Sequence, residues 1–397
     1  MRLKKRFLKG FLLSILVLGI NAPVHCQQKT RYFSPEFMVG KIVPNYKGLP
    51  GSTVRSSYLL NIGTFLCDTN NHAHAYYHFP QVGISIGLSD LGNKENLGTE
   101  YSLVPYISLN ASRGLRHSVQ FKFGLGMSYF TKFYNEENNR YNRAIGSSLN
   151  WTFQAFVYYN LFVSRQFTMQ LGGGYWHSSN AHLQLPNFGL NSAMVGVVFQ
   201  YYLSDIDPGF RLPETMERHI KQQFIQVRAG LGWHEFGGTI GPVGGSKMPV
   251  YTTSINYGIL YNRQLKFYGG FFYRFYSSFY DHLEENGSSV KNNSWQASNI
   301  NFHLGLEYLL GHVGMNLEGG INLFKPFYDD YYDLFENGNS FNEFRMSMFN
   351  TRLGLNLYLK NTNKNPMNNF ALGAHINANF GKADFGELSL TYMKIIQ

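Results

Sequence analysis

The chain has 397 residues, of which 15% are charged and 17% aromatic, with 41 glycines and a formal net charge of +10. Five of its 34 Lys and Arg fall in the first 26 positions. The remainder carries 29 basic against 24 acidic side chains, a net +5 that gives no basis for a nucleic-acid partner. Past that segment only Cys67 remains, which excludes a disulfide framework, and no run approaches the ~20 apolar residues of a spanning helix.

Taken in order, residues 1–26 read as a secretory signal peptide. Basic residues (Arg2, Lys4, Lys5, Arg6, Lys9) precede the apolar run Phe11–Ile20, and Val24 and Cys26 stand at −3 and −1 of a cleavage site before Gln27. A lipoprotein reading of Cys26 lacks the small residue expected before the modified cysteine.

Strand-like runs of membrane-spanning length then recur near 35–45, 54–66, 79–88, 101–110, 117–130, 148–162, 166–178 and 191–203. After a break they resume near 222–235, 250–262, 265–278, 298–309, 313–325, 345–359, 369–378 and 386–396. Several alternate, as in SVQFKFGLGMSYF, where Val119, Phe121, Phe123 and Leu125 share one parity. Short turns (NRQL, LLGH, KNTNKNPMNN) alternate with long loops (YDHLEENGSSVKNNSW, PFYDDYYDLFENGNSFNEF). Secreted, rich in glycine and aromatics, with a mean hydropathy of −0.23, the sequence predicts an all-β fold, a transmembrane antiparallel β-barrel of the outer-membrane kind.

The break, residues 204–221, holds two prolines and mixed charge and reads as a linker with a helical turn at Glu214–Gln222. It divides the chain into 27–203 and 222–397. Two tandem eight-stranded barrels are expected rather than one of sixteen strands, because the linker is long and polar. The halves resemble each other: LGGGYWHSSNAHLQLPNFGLNS parallels LGAHINANFGKADFGELS, placing His375 198 residues after His177.

The stretch GGGYWHSSNAHLQLPNFGLN (172–191) reads either as an ordinary polar loop or as a nucleophile with its base. Phe167, Met169, Leu171, Gly173, Tyr175, His177 and Ser179 share one parity, the apolar and hence lipid-facing one, at the outer end of a seventh strand. Polar side chains exposed to lipid are costly unless they act there. A His-x-Ser pair on one face brings an imidazole within reach of a serine hydroxyl, as nucleophilic attack on an ester requires. Alone, such a pair is more often an interfacial polar patch.

The whole string narrows this. HSSNAHLQLPNFGLN resembles the signature of the lipid A 3-O-deacylase (PagL-type) family, His-x-Ser-Asn-Ala followed by Pro-Asn-x-Gly; HFPQVGISIGLSDLGN, FKFGLGMSYFTKFY and NRAIGSSLN are similar to it upstream, so that the resemblance covers roughly residues 30–203. It implies an eight-stranded outer-membrane barrel with a serine-hydrolase site on its lipid-facing wall. By position it implies Ser179 as nucleophile, His177 as general base, Asn180 and Asn187 as oxyanion or positioning groups, and Pro186 and Gly189 as shapers of the loop. The family's acid, fourteen residues after the histidine, is here Asn191, an amide that orients an imidazole but supports its charge less. In the second half Asn377 stands where the serine should be, the Pro-Asn-x-Gly segment is missing, and Glu387 has no nucleophile to serve.

The expectation is therefore an esterase of the cell outer membrane that removes an acyl chain from lipid A, needing no metal or cofactor. Its partners are lipopolysaccharide and outer-membrane lipids; the sequence does not fix an oligomeric state. The rival is a non-catalytic tandem barrel with a structural or lipid-binding role. A porin ranks behind both, since eight-stranded barrels are filled by side chains. Other clusters read more simply as solvated loops: His72, His74 and His78 in a periplasmic turn, and Asp329, Asp330, Asp333 and Glu336 in an extracellular loop. His234 and Glu235 are adjacent and so point to opposite faces of a strand.

Overall fold

The structure, a computed structural model, describes residues 30–67, 74, 78–111, 117–206, 220–286, 292–335 and 340–396. The expected signal peptide, His72, Glu336 and most of the linker lie outside the described residues.

Eight strands form the first barrel: β1 (Thr30–Val43), β2 (Arg55–Phe65), β3 (Gln81–Asp90), β4 (Thr99–Asn110), β5 (Val119–Phe130), β6 (Leu149–Phe162), β7 (Phe167–Ser179) and β8 (Leu190–Tyr202). Eight more form the second: β9 (Lys221–Glu235), β10 (Lys247–Tyr261), β11 (Leu265–Tyr276), β12 (Ser298–Leu310), β13 (Val313–Phe324), β14 (Phe349–Tyr358), β15 (Asn368–Asn379) and β16 (Lys382–Ile395). Within each barrel every strand pairs antiparallel with its chain neighbours, and β1 with β8 and β9 with β16 close the two barrels. The two-barrel expectation holds.

Period-two patterning decides which side chains enter each lumen. Phe33, Phe37, Leu60, Ile62, Ile84 and Ile86 are exposed on the first barrel's outer wall, and Ile225, Val227, Tyr251, Ile255, Leu388 and Leu390 on the second's. Many of the inward residues are polar, and several of their charges are paired, as burial favours. In the first barrel Arg55 Nη2 lies 2.6 Å from Glu100 Oε2, and Lys122 Nζ 2.7 Å from Glu36 Oε2. In the second, Glu318 Oε1 accepts from Arg228 at 2.7 Å and from Arg352 at 3.0 Å, while Lys266 Nζ meets Glu307 at 2.5 Å. A cavity of about 10 Å³ lies beside the Glu36–Lys122 pair, room for about one water.

In the second barrel the longest connections gather at one end. At that end β11 and β12 are joined through α1 (Ser277–Glu285) and α2 (Asn293–Gln296), and β13 and β14 through α3 (Tyr328–Phe335) and α4 (Ser340–Met348). The acidic segment is thus a helix rather than an open loop, with Asp329 and Asp330 in its first turn, where they complement the helix dipole. For the same reason β14 begins at Phe349, not near 345: residues 340–348 wind into α4.

The assumed equivalence of His177 and His375 fails. His375 is fully buried on the lumen side of β15, and Asn377 and Glu387 bond each other there at 2.8 Å. An offset of 198 matches the letters but slips the register by one residue, and one residue turns a side chain to the opposite face. Leu125 also departs from its pattern: it is buried, whereas Phe121 on the same parity is exposed.

Candidate active site

β7 carries Tyr175, His177 and Ser179 toward the outer wall, while Trp176 and Ser178 face the lumen and bond Glu100 at 3.1 and 3.2 Å. In the β7–β8 ladder His177 lies opposite Asn191. The two side chains meet, with His177 Nδ1 2.6 Å from Asn191 Oδ1, and Tyr175 donates its hydroxyl hydrogen to the same oxygen at 2.6 Å. An amide oxygen only accepts, so Nδ1 of His177 carries the proton and Nε2 keeps a lone pair, as a general base requires. Glu100, the nearby acid, lies inside the barrel and cannot take Asn191's place.

Ser179 is buried and shares the outer face with His177, two residues away. Among the described residues no hydrogen bond joins its Oγ to the imidazole. Gly189, at φ +74°, seats the loop against the ring: a Cβ there would stand 2.6 Å from His177 Cε1.

Asn180 and Asn187 are brought together. Asn187 Oδ1 accepts from Asn180 N at 3.1 Å, and Asn180 Nδ2 donates to Gln184 O at 2.6 Å. This leaves Asn187 Nδ2 and Asn180 Oδ1 buried without partners. Asn187 Nδ2 is a buried amide donor with no acceptor, on a side chain that bonds the residue after Ser179, and such a donor can receive an oxyanion. The loop's far side is held by its own barrel, through Asn45 Nδ2 to Phe188 O at 2.8 Å and the stacked rings of Tyr46 and Phe188, 4.6 Å apart.

Sequence reasoning missed Tyr175 and the contacts of the 181–187 segment. Tyr175 was visible as the residue two before His177 on the same face. The loop contacts had no local signal, because their partners lie about fifty residues on. His182 is buried there, and burial, with the His234 imidazole close by, pushes its pKa down to about 4. On the outer wall, an apolar groove of about 630 Å³ is lined by Phe37, Tyr58, Leu171, Gly172, Val195 and Gly196. The other clusters hold no such arrangement. His78 Nδ1 lies 3.1 Å from Asn110 O, and among the described residues no group of His, Cys, Asp or Glu is disposed to hold a metal ion.

Two closed barrels with apolar outer walls and many polar side chains turned inward make this an outer-membrane β-barrel protein, one of whose walls presents a histidine–amide pair beside a serine. Residues 64–200 match the model of a family described as PagL, lipid A 3-O-deacylase, within the span where the sequence resembles it. No curated protein matches the chain. Among solved structures, CdiB from Acinetobacter baumannii is 9% identical with a TM-score of 0.18; the match covers 93% of this chain and 60% of that one. Pseudomonas aeruginosa OccK11 (OpdR) is 9% identical over 93% of this chain and 96% of its own, at a TM-score of 0.21. The outer membrane channel DcaP of A. baumannii gives 9%, 95%, 99% and 0.17 on the same measures. At such scores the likeness carries no argument, and the fold rests on the strand pairing of each barrel.

Proposed function

We propose that the first barrel is a serine esterase that removes an ester-linked acyl chain from lipid A in the outer leaflet. Ser179 Oγ attacks the ester carbonyl while His177 Nε2 takes its proton. Asn191 holds the imidazole in the required tautomer, and Asn187 Nδ2 receives the oxyanion. Collapse of the tetrahedral intermediate expels the sugar alkoxide, which His177 protonates. Water, activated by the same imidazole, then releases the fatty acid from Ser179. No metal or cofactor enters these steps.

The observation that carries the reading is the His177–Asn191 bond on the lipid-facing wall, two residues from Ser179, in a segment matched by the deacylase family model. The apolar groove on that wall suits a substrate whose chains already lie in the membrane.

The test is mass spectrometry of lipid A incubated with the refolded protein, beside Ser179→Ala. Loss of one acyl mass, absent with the variant, supports the esterase. No loss from lipid A or phospholipid, with the barrels folded, sinks it. The second reading, a non-catalytic tandem barrel with a structural or lipid-binding role, would then stand; it is favoured by the missing Ser179–His177 hydrogen bond and by the amide in place of the acid.

A further inference from the structure

The segment that follows Ser179 is held by the second barrel. Glu235, at the end of β9, accepts from Leu185 N through Oε2 at 2.7 Å and from Gly245 N through Oε1 at 2.6 Å, so one carboxylate ties the two loops together. Glu235 N donates to His182 O at 3.1 Å, His182 Nε2 to Gly237 O at 2.9 Å, and Asn187 N to Thr239 O at 3.0 Å. Ala181 and Leu185 are buried, and Gly237 leaves room for Leu185.

These contacts hold an unfavourable backbone. Ala181 and His182 are consecutive non-glycine residues in the left-handed region, at φ +56° and +64°. Such residues persist only where the surroundings over-determine them. Here part of those surroundings is the second barrel, and the loop it holds places the Asn187 side chain against Asn180 N.

The geometry points to the second barrel as a positioning scaffold for the site in the first, with Glu235 as its principal positioning residue. The inference rests on the reading of Ser179 as nucleophile. It gives the second barrel a role that needs no nucleophile of its own: to keep the oxyanion loop from relaxing away from Ser179. Substrate binding along the outer wall of the first barrel does not depend on it, so its loss acts on kcat and not on KM.

The experiment is steady-state deacylation of lipid A in mixed micelles by the full chain and its Glu235→Ala and Glu235→Gln variants. Hydrogen exchange of residues 181–187 is followed in parallel. Glu235→Ala is expected to lower kcat on the order of 10- to 100-fold, with KM within about twofold and faster exchange in the loop. Glu235→Gln, which keeps an acceptor for Leu185 N, is expected to restore most of the rate. Undiminished kcat in Glu235→Ala beside an active wild type overturns the scaffold while leaving the esterase standing. So does a Gln variant that folds and protects the loop yet is as slow as the Ala variant. An inactive wild type removes the esterase and the scaffold with it.

Discussion

His177 and Asn191 face each other across the β7–β8 ladder with Nδ1 and Oδ1 2.6 Å apart, and Tyr175 shares the same oxygen. An amide fixes the tautomer but lends little charge to the imidazolium that forms during attack. Asn191→Asp is therefore expected to raise kcat by about tenfold or more, and Asn191→Leu to lower it by about a hundredfold. Single-turnover release of fatty acid measures both. A slower Asp variant would show that Asn191 has a different task.

Adjacent serines separate the outer face from the lumen. Ser178→Ala removes a lumen hydroxyl that bonds Glu100 and Thr152, and is expected to leave the rate within about threefold. Ser179→Ala is expected to abolish turnover. Covalent labelling by a fluorophosphonate, located by peptide mapping, checks the pair; a label on Ser178 would reverse the assignment.

Gly189 combines a left-handed backbone with contact against the imidazole. Gly189→Val is expected to lose activity by at least a hundredfold, since its side chain must displace the His177 ring, and about 1–3 kcal/mol of local stability. Loss of activity with only a small drop in melting temperature is the expected pattern.

Acid weakens the inter-barrel contact. His182, at about 4 in the folded protein against an ordinary 6.5, stays neutral when docked, facing His234, Asp384, Lys382 and the Gly237 carbonyl. Below 6.5 the released loop takes up a proton that the docked loop refuses. Docking therefore weakens as pH falls from about 6.5 toward 4 and is unaffected above it, by about 1.4 kcal/mol for each unit fully traversed. Exchange protection of residues 181–187, corrected for intrinsic rates, should fall from pH 7 to 5 and do so less in His182→Gln. Unchanged protection in the wild type would argue against this.

In the second lumen Glu318 faces both Arg228 and Arg352. Glu318→Ala leaves two buried guanidinium groups with less compensation and is expected to cost about 3–5 kcal/mol. Unfolding in denaturant measures it, and a loss under about 1 kcal/mol would mean that Glu387 alone suffices for the arginines.

What the sequence determined follows from local rules. Period-two alternation marks which side chains meet lipid, so sixteen strands and the outward face of His177 were legible from the letters; the long polar linker favoured two barrels over one, and only the strand pairing decided between them. The i+14 spacing from His177 to Asn191 was legible through the resemblance. What it left open depends on register and distance. The 198-residue offset placed His375 beside His177 by similarity, yet one residue of slip turns His375 into the lumen. Tyr175 joined the site only when its hydroxyl reached Asn191. The clamp on the 181–187 loop comes from Glu235, Gly237 and Thr239, about fifty residues on and in another barrel. No local pattern encodes such a contact; the packing of the β7–β8 loop against the end of β9 and the loop after it decides it.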